Sequence, residues 1–255
     1  MGRVLAVAAN TFRETVRERV LYNLVFFALV MTLSGLLLGQ LSIRQDEKLI
    51  KDIGLAAMEL FGNLIAIFIG VGLISKEIER RSVYPLLAKP VSRDEFYLGK
   101  FAGLVFTLFV NLAAMTAGLY LTLLATGRRV DPLLLSAAYP IFLGLVLVVS
   151  LAMLFSTLST SSATASVVTV GVVLAGRYAD VIRNMRDVAP AVPQWVIQAL
   201  YAVLPNFQAF DFKDRVAYGD PVPAAALAAV TAYGLAYAGV VVAMGLLGFR
   251  RREFQ

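Results

Sequence analysis

The sequence predicts an all-α integral membrane protein, a single domain over residues 1–255 with six transmembrane helices. Three observations predict it. The 255 residues are 59% hydrophobic and 16% charged, with a mean hydropathy of +0.77, where a soluble chain holds roughly 25% charged residues. The apolar excess falls in long charge-free blocks, near the roughly 20 residues a helix needs to cross a hydrocarbon core of about 30 Å. The blocks also lack the short alternating strands of a closed barrel, so helices must satisfy the backbone in lipid.

Residues 1–20 precede the first block. At about 100° per residue, Arg3, Asn10, Arg13, Glu14, Arg17 and Glu18 share one arc, while Val4, Leu5, Ala8, Phe12 and Val16 share another; Arg19 is the exception. This reads as a basic amphipathic helix lying in the cytoplasmic headgroup layer. The alternative is an extension of the first span into water. The apolar run starts too late and runs too long for a secretory signal peptide.

The spans follow from the gaps between charges. The first lies at 21–41 and the second at 55–74, the latter holding one charge, Glu59. The third lies at 101–125. Pro132–Gly176 then runs 45 residues without a charge, about 68 Å as helix and twice a bilayer. The hydroxyl-rich Ser156–Ser162 stretch divides it into spans 133–155 and 163–176, its side chains satisfying the turn. The sixth span is 224–249. Arg17 and Arg19 abut the first span and Arg250–Arg252 the last, which places both termini in the cytoplasm. Basic residues number 13 on that side and 10 on the other, and the net charge of +6 serves topology, not nucleic-acid binding.

The missing side chains exclude much chemistry. With no His and no Cys, the chain builds no usual zinc site, thiolate nucleophile, Ser-His-Asp triad, disulfide or axial haem histidine. The composition points away from an enzyme in its own right, and Ser156–Ser162 has no histidine to serve as base.

Three features stand outside this plan. The segment 76–100 is dense in both signs and carries the apolar strip Val83-Tyr-Pro-Leu-Leu87. Pro85 and Pro90 limit helix there. Ser92 caps the next helix, with Glu95 completing a capping box. A solvated loop is the bland alternative, but an apolar strip ringed by Arg and Glu suits a docking surface. Segment 177–220 places Arg177, Asp180, Arg183 and Arg186 three apart on one face, followed by an apolar stretch too short to span. That stretch ends at Pro205-Asn206-Phe207 and rests at the interface or re-enters. Glu59 is a candidate intramembrane polar site, read either as interfacial beside Asn63 or as a substrate or proton contact. Gly35/Gly39 and Gly99/Gly103 permit close helix approach.

The stretch Glu77–Lys100, with its Leu86-Leu87 pair, its Lys89-Pro-Val-Ser-Arg93 run and its Gly99-Lys100 entry, resembles the signature of ABC-2-type transporter permeases. So do Asn10–Asn23, Leu204–Phe207 and the Arg-rich end, and the likeness extends to the branch that includes the nitrous-oxide-reductase maturation permeases. Arg81 stands where glycine is common, and Pro85 interrupts the expected coupling helix.

The resemblance implies the membrane subunit of an ATP-driven exporter of the type V kind in an inner membrane. Two such permeases would pair, as a homodimer or with a related chain, each on a separate ABC ATPase. Residues 1–20 would be the elbow helix and 76–100 the coupling loop. Glu77, Glu79, Arg80, Arg81, Val83, Tyr84, Leu86, Leu87, Pro90, Arg93 and Glu95 would contact the ATPase. The extracytoplasmic segment 177–220 would hold short or re-entrant helices, with Pro205, Asn206 and Phe207 as a candidate gate. The chain has no Gly-x-x-x-x-Gly-Lys-Ser/Thr stretch, so ATP and Mg would bind the partner subunit and no cofactor binds here. Membrane lipid and a periplasmic protein are the further candidate partners. An alternative reading is a non-transporting anchor that docks an ATPase and acts on an extracytoplasmic partner. A secondary transporter, a further alternative, would show inverted repeats.

Overall fold

A computed structural model of the protein describes residues 2–16, 21–40, 46–79, 92–128, 130–159, 161–179, 195, 198, 201 and 203–251. Among the described residues there is no strand. The helices are α1 (Gly2–Thr15), α2 (Leu21–Gln40), α3 (Asp46–Glu79), α4 (Arg93–Ala125), α5 (Leu133–Leu158) and α6 (Ser162–Arg177). A 3₁₀ turn (Phe207–Phe210), the short α7 (Lys213–Ala217) and α8 (Ala224–Arg251) follow.

The apolar pattern sets the layering. α5 is hydrophobic on all sides, and such a helix belongs inside. In its most apolar window 78% is buried, against 22% for α8. α3, α4, α6 and α8 pack around α5, and α2 lies against α3 and α4. The outer surface carries Leu60, Leu64 and Phe68 of α3, Val167 and Leu174 of α6, and Leu235, Val240 and Met244 of α8. A surface of this kind is covered by hydrocarbon, not water. Four helices are long and apolar enough to cross a membrane: Glu47–Leu73 within α3, α4, α5 and α8. The 20 residues of α2 reach about 30 Å and the 16 of α6 about 24 Å, so α6 is short of a full crossing.

Two sequence expectations change here. The second span, expected at 55–74, is part of a 34-residue helix that begins at Asp46. Its charged first turns stay helical because the buried Lys51 ammonium binds Glu47 at 2.8 Å and Asp131 at 2.7 Å. The segment expected as a loop over 76–100 is helical at its start, since α3 continues to Glu79, while α4 begins at Arg93 as the Ser92 cap predicts.

Close helix approach comes from glycine. A Cβ on Gly99 would lie 2.7 Å from the Val7 side chain, and one on Gly103 would lie 2.7 Å from the Ala8 carbonyl. These two residues seat α1 along the first turns of α4. Phe12 then meets Phe106 at 4.9 Å, and buried Lys100 pairs with Glu14 at 3.6 Å. The seam uses Thr11 and Thr15, both buried, while Leu5 of the predicted apolar arc points outward. The Ser156–Ser162 stretch behaves as a satisfied connection: Ser156 donates to the Val71 carbonyl at 3.0 Å, and Ser161 accepts from Ala163 N–H at 3.3 Å. Gly35 and Gly39 lie on α2, but their packing lies outside the described residues.

Candidate functional site

The first and last described helices meet at one end of the bundle, where α1 crosses α4 and Arg250 of α8 meets Asp94. We call this end proximal and the opposite end distal. Glu59 sits 13 positions into α3, about 20 Å from its distal start. The helix begins nine residues earlier than the predicted span, so Glu59 lies further from its distal start than the span at 55–74 implied.

Two cations reach Glu59 at this depth. The Arg177 guanidinium, at the last residue of α6, donates to Oε1, and the Lys213 ammonium, at the first residue of α7, donates to Oε2. Side-chain exposure is 18% for Glu59, 33% for Arg177 and 13% for Lys213, so water screens these charges only in part. One carboxylate therefore joins three elements. Lys213 also lies 3.3 Å from Asp211, whose other oxygen accepts from the Lys213 N–H at 3.2 Å and starts α7. α7 then rises along α3 toward the distal end, where the Lys48 ammonium sits 3.2 Å over the Tyr218 ring. Arg177 was expected to share a face with Asp180, Arg183 and Arg186; it points to Glu59, and the other three lie outside the described residues.

The segment before α8 enters the bundle. Pro205 lies so close to Gly176 that its carbonyl and a Cβ there would overlap. Asn206 accepts from the Gln208 and Ala209 N–H groups at 3.0 and 3.3 Å, and its own N–H donates to the Tyr233 hydroxyl at 2.8 Å. Phe207 is buried against Gly176. Phe210 fills a slot beside Gly144 of α5 and Gly234 of α8, where a Gly234 Cβ would approach within 3.0 Å. Pro205, Asn206 and Phe207 are thus anchored beside α6 and α8 in a plug whose Phe210 sits level with positions about 15 Å along α5 and α8 from their starts. Phe210, Lys213, Tyr233 and Tyr237, whose hydroxyl donates to the Val203 carbonyl, belong to the same assembly and were not singled out from sequence. Two signals for them existed: Lys213 opposes Glu59 in charge, and Gly144 and Gly234 interrupt apolar helices.

At the distal rim, Asp131 holds the connection between α4 and α5. Burial pushes its carboxyl up, but Lys51 and the Leu133 N–H outweigh that and hold it below the ordinary carboxylate range.

At the proximal end the expected capping box is present: Ser92 Oγ accepts from the Glu95 N–H at 3.2 Å, and Glu95 accepts from the Ser92 N–H at 2.9 Å. Arg93 donates to the Arg250 carbonyl at 3.1 Å, and Arg250 Nε donates to Asp94 at 2.7 Å. Arg93 and Glu95 therefore brace the start of α4, and Asp94, not singled out from sequence, ties it to α8. Glu77 and Glu79 lie on the last turn of α3. Their side chains, and Arg80, Arg81, Val83, Tyr84, Leu86, Leu87 and Pro90, lie outside the described residues.

A family model described as an ABC-2 family transporter protein matches residues 5–254. No curated protein matches the chain.

Proposed function

We propose a mechanism from one premise, that the chain belongs to the ABC-2 transporter family. It is the permease subunit of an ABC transporter, a multi-pass membrane protein that pairs with an ABC ATPase subunit. In our reading it is an exporter, and ATP and Mg²⁺ are bound only by the partner. Both termini are cytoplasmic, which the arginines at the proximal end support: Arg3, Arg13, Arg93, Arg250 and Arg251. The elbow helix is α1, the membrane is a cell inner membrane, and two permeases pair as a homodimer or with a related chain. Within the family we place the chain in the branch with the nitrous-oxide-reductase maturation permeases, on the resemblance along the whole chain.

One observation carries the mechanism. α3 leads without interruption from the charged segment after Glu79 to Glu59 and on to Asp46. A push on residues 80–91 by closing ATPase subunits moves one rigid rod. That rod carries the carboxylate to which α6 and α7 are fastened. Shifting Glu59 frees Arg177 and Lys213, lifts the plug at Pro205–Phe210 and opens the distal side. In this reading the distal ion pairs hold that side shut until the rod moves, and cargo enters from the proximal side or the bilayer and leaves distally.

Reconstituted with its ATPase partner, the Glu59→Gln permease is expected to hydrolyse ATP yet lose transport. An unaltered transport rate would sink the gating role. Reversing Arg80 and Arg81 to Glu is expected to abolish co-purification with the ATPase or stimulation of its turnover, and unchanged assembly and turnover would remove the docking role. Movement of any solute by the intact complex would separate this reading from that of an anchor acting on a periplasmic partner.

A further inference from the structure

Along one flank, α4 and α5 touch at two levels and part between them. At the lower level Phe109 meets Phe142 edge to face, with ring centroids 5.7 Å apart. Eleven positions further along α4, the Tyr120 hydroxyl donates to the Asp131 carbonyl at 3.1 Å. These closures lie about 16 Å apart along the helix. Between them the facing residues are small, Ala113 and Ala117 on α4 and Ala138 on α5, and a slot of about 460 Å³ is left. Pro140, inside α5, interrupts that helix's backbone ladder on this stretch, which favours divergence there.

We propose that this slot binds one acyl chain of a bilayer lipid from the distal leaflet. Its polar groups are already committed. Thr116 donates to the Leu112 carbonyl at 2.8 Å, Tyr120 to Asp131, and the Tyr139 and Thr231 hydroxyls pair at 2.8 Å. With these hydroxyl protons engaged, water entering the slot would find only scattered acceptor lone pairs on an otherwise apolar lining, fewer than the roughly two to four partners a buried water needs. An empty slot forfeits the dispersion contacts that a packed interior makes, so an apolar filler is required. The open side decides which one. Phe109, Leu135 and Tyr139 are 54%, 57% and 41% exposed at its rim, on two helices that cross the membrane. Hydrocarbon chains are what that rim meets. The slot is closed at both ends and open sideways, the shape that a single extended chain enters from the bilayer. This assignment does not depend on the direction or mechanism of transport.

The test uses the complete permease with its ATPase partner in phosphatidylcholine vesicles containing a trace of lipid with a mid-chain diazirine. After irradiation, adducts are mapped by peptide mass spectrometry. The expected result is adducts concentrated on 109–120 and 135–142. Ala117→Phe, which fills the slot, loses them, while adducts at Leu235 and Val240 on the outer face of α8 persist and report an intact fold. Leu121→Phe, outside the slot, keeps the wild-type pattern. If Ala117→Phe does not fold, Ala113→Leu makes the same comparison. Adducts spread evenly over the exposed positions of α3 and α8, or undiminished in a filled variant, would overturn the assignment. So would crosslinks from the slot to a second copy of the chain.

Discussion

In the distal half of the bundle a single carboxylate, Glu59, fastens α6 and α7 to α3, and at the distal rim Lys51 fastens α3 to Asp131. At the proximal end α1 lies on α4 through Gly99 and Gly103, and α8 lies on α4 with Gly245 directly against the Tyr97 hydroxyl. Both ends combine ion pairs with glycine packing, but α6 and α7 meet α3 through the Glu59 ion pairs, whereas α1 meets α4 through the seam at Gly99 and Gly103. Ion pairs at partial burial can swap partners when a helix shifts, at a cost set by desolvation. A glycine seam has no alternative arrangement of similar packing, because every displacement opens a gap. In our reading of the mechanism, the proximal end therefore transmits movement while the distal end switches.

The contrast can be broken at either end. Glu59→Ala leaves Arg177 and Lys213 without their shared partner and is expected to cost about 3 kcal/mol, read as a lower unfolding temperature in detergent. A loss no larger than that of an exposed substitution would mean that the distal ion pairs hold nothing. Gly103→Leu drives a side chain into the Ala8 carbonyl and Thr11 and is expected to cost about 2 kcal/mol. Its signature is protease sensitivity within α1, and full protection would show that α1 seats without the glycine seam.

Acid should separate the two ends further. Asp131→Asn is expected to cost about 1.5 kcal/mol near neutral pH. The native carboxyl titrates below its ordinary range, so its contribution is complete above a pH of about 4 and lost as pH falls through the folded value. The gap between wild type and Asp131→Asn should therefore close in acid, while the deficit of Gly103→Leu stays constant. A gap that persists below that range would assign the effect to packing. The smallest change expected is Tyr97→Phe. The Tyr97 hydroxyl is buried and finds no hydrogen-bond partner among the described residues, so its removal should be neutral or stabilising by up to about 1 kcal/mol. A clear loss of stability would show that the hydroxyl has a partner after all.

Much of the local structure was legible in the chain. Ser92 and Glu95 announce a capping box by their spacing, and that box forms. Gly99 and Gly103 announce a close approach, but nothing in their spacing says that α1 is the helix approaching. The start of α3 was not legible, because hydropathy stops at the first charge whereas a helix continues if its charges find partners. Lys51 finds Asp131 80 residues away. The partners of Glu59 are more remote still, separated from it by 118 and 154 residues, beyond the reach of any local pattern.

Periodicity and composition, by themselves, determined that this chain is helical and membrane-embedded. Those properties follow from each residue's own preference for lipid or water and from neighbours three and four positions away. The depth of Glu59, the cations that hold it, the plug that Phe210 completes and the slot between α4 and α5 were decided only by tertiary structure. Each depends on which helices pack together and at what level, and chain-distant contacts alone fix those two quantities.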